Sequence, residues 1–264
     1  MASKIWKPLL IVGCVIVLLL GALFYIGFIH GTVVIDGTRV GQLFDTDRHF
    51  VQIGFRENIT NDDIARLGRI NGMTYLAIWS SGVTDISAVS EFTDLTELYL
   101  HDNQITDIAP VSNLTGLERL QISGNPITNL APLSNLTNLR MLGLTIDPSI
   151  DFAPVTNLSN LTQLSFRFSV IEDFSILHSF PRLSIIEVVD SDLSDLEPLV
   201  EALLAHDGWM QNESRTLVLN SNQISDLSPL AALPAYTSLF IRYNPLTTDL
   251  SPVEHLDFVD VRDW

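Results

Sequence analysis

The side chains of this sequence best placed to do chemistry are aromatic and arginine residues that recur at one interval. Tyr75 and Trp79 are followed 22 residues later by Glu97 and His101. Tryptophan, tyrosine and arginine carry much of the binding energy at protein interfaces, so the chemistry they offer is recognition rather than bond making. The same residue types also favour β-strands, where they pack on one another. The interval therefore predicts aligned strand residues that contact either a partner or only each other.

Catalytic and metal-binding patterns are missing from the sequence. The six histidines show no His-Glu-x-x-His motif and no metal-ligand spacing; they lie at positions 30, 49, 101, 178, 206 and 255. The sequence also has no phosphate-binding loop and no nucleophile elbow. The single cysteine, Cys14, is interpreted as an inert apolar thiol, with a lipid-modified cysteine in Ile11-Val-Gly-Cys14 as the alternative. We therefore expect no enzymatic activity, no metal and no cofactor.

Residues 73–253 repeat themselves about every 22 residues, and this period predicts the architecture. In the unit that starts at Leu95, Leu98 and Leu100 alternate as a short strand with inward side chains. Later apolar positions complete a core that no single coil buries alone. The pattern LxxLxLxxNxL is that of a leucine-rich repeat, an α/β solenoid with a parallel β-sheet on its concave face. About eight coils start near Met73, Leu95, Leu117, Leu139, Leu161, Leu183, Ser214 and Tyr236.

The ninth position of the repeat, counted from the first residue of each coil, predicts a ladder of asparagines. A side-chain amide there can form hydrogen bonds with buried backbone groups of two turns, its own turn and the neighbouring one. Each such group would cost about 1–3 kcal/mol if left unpaired. The ladder consists of Asn103, Asn125, Asn222 and Asn244. In the middle coils Asp147, Ser169 and Ser191 take this position, so we expect the ladder to be broken there. The sixth coil is about nine residues longer, and residues 197–205 are predicted to form a helix.

The consensus LTxLxxLxLxxNxIxDIxPLxxL resembles the bacterial internalin-type leucine-rich repeat over roughly residues 55–256. Aspartate at position 13 and proline at position 16 belong to that consensus. A cysteine-rich cap is missing, which favours a prokaryotic source. Host-cell invasion is not implied, because the sequence shows no LPxTG-like motif and too few residues after the last coil for an immunoglobulin-like domain.

Three segments flank the predicted repeats. The resemblance implies a helical cap before the first coil, which we place at residues 59–72. Residues 30–58 are expected to be a stalk or linker, with a hairpin around the tight turn Asp36-Gly37. Residues 254–264 are expected to form a C-terminal cap, with a last strand covering the end of the solenoid.

The N-terminal segment predicts membrane attachment. Residues 9–29 are 21 residues without a charge, and as a helix they would span about 32 Å, enough for a hydrocarbon core of about 30 Å. Lys4 and Lys7 precede this run, so residues 1–8 are predicted to be cytoplasmic and the chain after residue 30 extracytoplasmic. We therefore expect a single transmembrane helix that serves as an uncleaved signal anchor in the cell membrane.

The charge of the chain excludes some classes of partner. Beyond residue 30 the sequence carries all 31 acidic residues, 12 arginines and no lysine, a net charge of −19. Such a surface stays soluble but repels nucleic acid and anionic lipid headgroups. We expect no nucleic-acid partner.

Repeat positions 3, 5, 7 and 8 are expected to face the concave side of the sheet. The candidate partner-binding residues there are Tyr75, Trp79, Glu97, Tyr99, His101, Arg119, Arg167, Phe168, Phe240, Arg242 and Tyr243. We expect a membrane-anchored, extracytoplasmic leucine-rich-repeat protein that binds a protein partner through this face. The alternatives are binding of a cell-wall or surface glycan by the same aromatic residues, and a self-associating envelope scaffold.

Overall fold

The computed structural model describes residues 50–54, 59–67, 72–246 and 249–261, together with four strand segments nearer the N-terminus. For strand residues up to Phe50, and for residues 53 and 54, only the backbone is described. The predicted cytoplasmic residues 1–8 lie outside the described residues.

The described coils share one parallel sheet, as the repeat predicts. Its coil strands are β6 (Tyr75–Trp79), β7 (Glu97–Tyr99), β8 (Arg119–Gln121), β9 (Met141–Leu144), β10 (Gln163–Arg167), β11 (Ile185–Val189), β12 (Arg215–Val218) and β13 (Thr237–Phe240). The register is in step with the repeat, since Leu98 lies opposite Leu120 and Leu120 opposite Leu142. Because strand side chains alternate between faces, a slip of one residue would expose every buried leucine.

The core runs along the inside of the solenoid. Leu98, Leu120 and Leu142 are fully buried at the same repeat position, each worth roughly 1.5–3 kcal/mol. Short 3-10 helices lie on the side opposite the sheet, at Ser87–Glu91, Ala109–Val111, Ala131–Leu133, Ala153–Val155, Ser175–Ser179, Ser228–Ala232 and Ser251–Val253. The position-13 aspartates start these helices by capping the turn: Oδ1 of Asp107 accepts the backbone N–H of Ala109 at 2.8 Å.

The asparagine ladder joins neighbouring coils. The amide nitrogen of Asn103 donates to the carbonyls of Ile78 and Leu100, and its oxygen accepts from Ser81 and Val83 of the preceding coil. Asn125, Asn222 and Asn244 make equivalent bonds. All four side chains are buried, so these bonds satisfy backbone groups that water does not reach.

Serines continue the ladder at two of the three positions where asparagine is replaced. The hydroxyl of Ser169 accepts from the backbone N–H of Ile146 at 3.1 Å and donates to the carbonyl of Arg167 at 3.2 Å. The hydroxyl of Ser191 accepts from Ser169 N–H and donates to the carbonyl of Val189. At these two positions the expected break is a change of residue type, because a hydroxyl both accepts and donates as the amide does. At Asp147 the ladder is broken as expected, since this exposed carboxylate accepts from Ser149 of its own turn.

The sixth coil carries two helices in place of a 3-10 turn. They are α2 (Glu197–Leu204) and α3 (Asp207–Gln211), and α2 agrees with the helix predicted there. Trp209 of α3 is fully buried. Arg215 donates to the carbonyls of Trp209 and Met210 at the end of α3, where a cation meets the negative end of the helix. The inner side of this excursion therefore belongs to the core, while Leu204 and Met210 remain exposed.

A helix and an extra strand close the N-terminal end of the repeats. The cap helix α1 (Asn61–Leu67) begins with a capping arrangement, in which Thr60 and Asp63 each bond the other's backbone N–H. Strand β5 (Phe50–Gly54) pairs parallel with β6. Strands β3 (Thr32–Ile35) and β4 (Thr38–Leu43) pair antiparallel and extend the same sheet through β5, so part of the expected linker belongs to the sheet.

At the other end, β14 (Phe258–Asp260) adds to β13 in parallel. The sheet therefore has twelve strands in the order β14 to β3, and ten of them, β5 to β14, run parallel. The last three residues, 262–264, lie outside the described part of the chain.

The transmembrane helix predicted at residues 9–29 is not found in the described part of that segment, residues 15–19 and 22–26. The structure has two antiparallel strands in that segment, β1 (Val15–Leu19) and β2 (Ala22–Ile26). An uncharged run rich in valine and isoleucine fits a strand as well as a helix, because hydropathy alone carries no period that separates the two. Among the described residues, no helix is long and apolar enough to cross a bilayer.

Candidate binding surface

The sheet aligns the predicted binding residues in rows that run across the strands. At repeat position 3, Tyr75 lies opposite Glu97 and Glu97 opposite Arg119. At position 5, Tyr99 lies opposite Ala77 on one side and Gln121 on the other. The predicted residues are therefore brought onto one face, but they form separate groups along it.

The first group, here called the N-terminal aromatic cluster, consists of Tyr75, Trp79, Tyr99 and His101. The rings of Tyr75 and Tyr99 lie 5.2 Å apart between centroids, tilted by 33°. The hydroxyl of Tyr99 donates to Oε2 of Glu97 at 2.9 Å. Burial, followed by the negative charge of Glu97, raises the pKa of the Tyr99 hydroxyl well above its usual range. Both rings are half-buried, so their positions are fixed while part of each stays open.

Trp79 and His101 form the second pair of this cluster. Their rings stack with centroids 5.9 Å apart and planes 9° from parallel. His101 is only 5% exposed, so a partner would touch Trp79 rather than His101. Burial lowers the pKa of His101 to about 4. The negative charge of Asp102 favours the protonated imidazole and opposes this shift, whereas the positive charge of Arg167 adds to it. The imidazole is therefore neutral at pH 7 and serves as a support for the indole.

Arg167 braces the middle of the face. Its guanidinium bonds Oδ2 of Asp102 and Oδ2 of Asp190, both at 3.0 Å, and thereby links coils two, five and six. Gly124 leaves space beside Asp102, since a Cβ at Gly124 would lie 2.3 Å from Oδ1 of that aspartate. The side chain of Arg167 is 18% exposed, so its charge is largely neutralised by these two carboxylates. The sequence pointed to Arg167 as a site residue but did not pair it with these aspartates.

Glu187 is a further polar group on this face that the sequence did not mark as a site residue. Gln163 donates to its Oε1 at 3.1 Å, and Ser165 lies opposite it in the register. Burial raises the pKa of the Glu187 carboxyl. The hydrogen bonds from Ser165 and Gln163 lower this pKa, but their effect is smaller than that of burial. The signal in the sequence was its place at repeat position 5, which faces the concave side.

The far group, here called the C-terminal cluster, consists of Phe240, Arg242 and Tyr243. Strand β14 completes it: the rings of Phe240 and Phe258 lie 5.2 Å apart, and Arg242 forms an ion pair with Asp260. Phe258 and Asp260 were missed as site residues because they belong to the terminal strand and not to a recognisable coil. Six strand spacings separate this cluster from Tyr99, about 30 Å at about 4.8 Å per spacing.

No group of three or more possible metal ligands occurs among the described residues. Arg119 is exposed beside Tyr99, whereas Arg167 and Arg242 are each paired with a carboxylate. What this surface offers is half-buried aromatic rings, a braced polar centre and one exposed guanidinium at Arg119.

Stacked 22-residue coils, one parallel strand per coil and a buried asparagine at position 9 define a leucine-rich-repeat solenoid. Solved structures agree. Internalin C2 of Listeria monocytogenes is 29% identical, with 75% of this chain and 84% of that chain covered and a TM-score of 0.52. Internalin InlF of the same organism is 26% identical, with 82% of this chain and 67% of that chain covered and a TM-score of 0.51. The chain shares the fold of bacterial internalin-type leucine-rich-repeat proteins, as its repeat consensus predicted. No family model and no curated protein matches it.

Proposed function

We propose that this protein binds a protein partner through the concave face, with the N-terminal aromatic cluster as the main contact. The internalin-like fold supports protein–protein or surface binding in general. The observation that carries the finer proposal is the placement of Tyr75, Trp79 and Tyr99: three half-buried rings on adjacent strands, each held by a neighbouring ring.

Rigidity is the physical reason for assigning binding to this cluster. Ordering a rotamer-rich side chain at an interface costs about 0.5–1.5 kcal/mol. The stacked rings of Trp79 and His101 and the bonded hydroxyl of Tyr99 have already lost most of that freedom on folding. The apolar area they offer therefore contributes to affinity with little entropic loss.

The charged residues of the face are assigned different roles. Arg167 and Arg242 shape the surface, because their guanidinium groups are engaged by aspartates. Arg119 is exposed and is the arginine available to steer an oppositely charged partner. We also propose that the protein acts by binding and not by catalysis.

The test starts from capture of partners with the full chain as bait, in parallel with a Trp79→Ala bait. A protein captured by the wild type and lost with Trp79→Ala is then titrated against Tyr99→Ala. We expect a loss of about 2 kcal/mol for either variant, roughly a 30-fold rise in Kd. The matched control is Tyr236→Ala, which removes a 61% exposed ring at the first position of the last coil and is expected to bind as the wild type does.

Three results would contradict this proposal. The first is a partner that binds Trp79→Ala and Tyr99→Ala with wild-type affinity while both variants stay folded. The second is retention on purified wall polymer without any protein partner, which would favour glycan binding. The third is a mass in ultracentrifugation that rises with concentration and falls in the Trp79→Ala variant, which would favour a self-associating scaffold.

We further propose that the uncharged residues 9–29 attach the protein to the cell membrane and that the solenoid lies outside it. The support is the sequence: 21 residues without charge, preceded by Lys4 and Lys7. Protease added to intact cells or spheroplasts is expected to digest the solenoid. Protection until the membrane is lysed would refute the orientation, and a mature N-terminus near residue 30 would show cleavage instead of anchoring.

A further inference from the structure

The backbone after each strand turns through a left-handed conformation at repeat position 8. Seven of the eight coils have a positive φ there, and five of those seven carry a residue that is small or polar. These five are Ser80, Asp102, Gly124, Asp190 and Ser221. Phe168, with φ of 52°, and Tyr243, with φ of 56°, are the exceptions. A bulky side chain in this conformation is strained, so an aromatic residue at position 8 requires an explanation.

The fold does not supply that explanation for Phe168. Its side chain is 48% exposed and contributes little to the core, whereas Phe166, two residues earlier, is fully buried. Val170 beside it is 57% exposed. Strained residues kept at the surface concentrate at sites of function. Phe168 and Val170 together present an apolar surface just past the C-terminal end of strand β10, at the edge formed by the strand ends.

The ring of Phe168 is held from one side. The guanidinium carbon of Arg167 lies 4.4 Å from the ring centroid, and Arg167 is itself fixed by Asp102 and Asp190. The backbone N–H of Val170 bonds the carbonyl of Ile146, which fixes Val170 against the preceding coil. The two side chains are therefore held in place before any partner arrives.

Carboxylates lie in the turns of the two coils that neighbour this apolar surface. Asp147 follows Ile146 in the preceding coil, and Asp192 follows Ser191, whose hydroxyl bonds the backbone N–H of Ser169. Both aspartates are exposed. Arg167 does not offset them, because its charge is engaged by two further aspartates. The surroundings are thus acidic around an apolar centre.

We infer that Phe168 and Val170, with Asp147 and Asp192 beside them, form a contact site for an apolar side chain within a basic segment of a partner protein. We call this set the edge patch. The inference rests on the proposed binding function and adds the chemistry of the partner. The apolar side chain packs on Phe168 and Val170, and flanking lysines or arginines face the aspartates. Complementary charge of this kind favours association and sets the register of the segment.

The test uses peptides selected on the full chain from a displayed random-peptide library. We expect the selected peptides to carry an apolar residue flanked by lysine or arginine, and to bind more weakly as salt is raised. Phe168→Asn is expected to weaken their binding at least tenfold, and Asp192→Asn, which removes a charge at a second left-handed position, to weaken it as well. Asparagine tolerates the left-handed conformation, so Phe168→Asn is not expected to lower the melting temperature. Phe166→Ala, in the core, is expected to lower the melting temperature strongly and serves as the control for a folding defect.

Tyr236→Ser removes an exposed ring outside the patch and is expected to leave peptide binding unchanged. The inference is overturned if selection gives no basic, apolar peptides, or if Phe168→Asn binds them as the wild type does. Peptides that lose binding to Trp79→Ala but not to Phe168→Asn would overturn the edge patch while supporting the N-terminal aromatic cluster. Peptides that depend on Phe168 alone support the edge patch even if no variant of the aromatic cluster affects partner binding.

Discussion

Asn125→Ala tests whether the asparagine ladder stabilises the solenoid as its geometry requires. The amide oxygen of Asn125 accepts the N–H of Ile105 at 3.0 Å, and its nitrogen donates to the carbonyls of Leu100 and Ile122, each at 2.9 Å. Alanine removes these three bonds and a longer one to the carbonyl of Ser123, which keeps the backbone N–H of Asp102 as a partner. The site is buried, so water does not replace the lost partners. An unpaired buried group costs about 1–3 kcal/mol.

The lower end of that range applies to each group, because a carbonyl keeps a second lone pair and the turn relaxes in part. Three groups at about 1 kcal/mol give a loss of about 3 kcal/mol. With a denaturant slope of about 2–3 kcal/mol per molar urea, the unfolding midpoint is expected to fall by about 1–1.5 M. Native-state hydrogen exchange adds a local readout, since the Ile105 amide loses its acceptor and its protection.

The matched control is Asn135→Ala, an exposed turn asparagine of the same coil, which is expected to change stability by no more than about 0.5 kcal/mol. Ser169→Ala removes two ladder bonds and is expected to fall between these variants. Equal midpoints for Asn125→Ala and Asn135→Ala, with unchanged protection at Ile105, would refute the role assigned to the ladder.

Two predictions concern pH. The pKa of His101 is lowered to about 4 by burial, so between its ordinary value of 6.5 and about 4 the unfolded chain binds a proton that the folded chain does not. Stability is expected to fall as pH drops through this window, and acid titration of His101→Phe, monitored by circular dichroism, should show a smaller loss; the same loss in both proteins would contradict the prediction. The pKa of Glu187 is raised by burial, so its ionised form destabilises the fold, and Glu187→Gln is expected to raise the melting temperature at pH 7 but not below the ordinary carboxyl pKa of 4.5. A melting temperature at pH 7 that is unchanged or lower in Glu187→Gln would argue against this account.

The repeat positions were predictable because each has one physical task in every coil. Leu98, Leu120 and Leu142 recur at one position because each coil buries that position, and recurrence makes a buried residue visible in a sequence. Asn103 and Asn125 were predictable for the same reason. Ser169 and Ser191 were not recognisable as ladder members, because a hydroxyl performs the same task with a residue type common in any turn.

The candidate binding surface was predictable in its direction and not in its contacts. Strand alternation by itself places Tyr75, Trp79 and Tyr99 on the concave side. The stacking of His101 beneath Trp79 depends on rotamers in two adjacent coils, which spacing along the chain does not specify. Phe258 lies outside the recognisable coils, so its contact with Phe240 had no signal in the period.

The sequence by itself determined the period, the parallel sheet and the identity of the buried positions, because a solenoid meets the same local demand in each coil. Only the tertiary structure decided what crosses between coils that are not neighbours. Arg167 meets Asp102, 65 residues earlier, because the path of the coils brings them within 3.0 Å. The strain at Phe168 likewise follows from the left-handed backbone after its strand, which the residue types do not announce. The local sequence pattern specifies the contacts that recur in every coil, and tertiary packing decides the contacts that occur once.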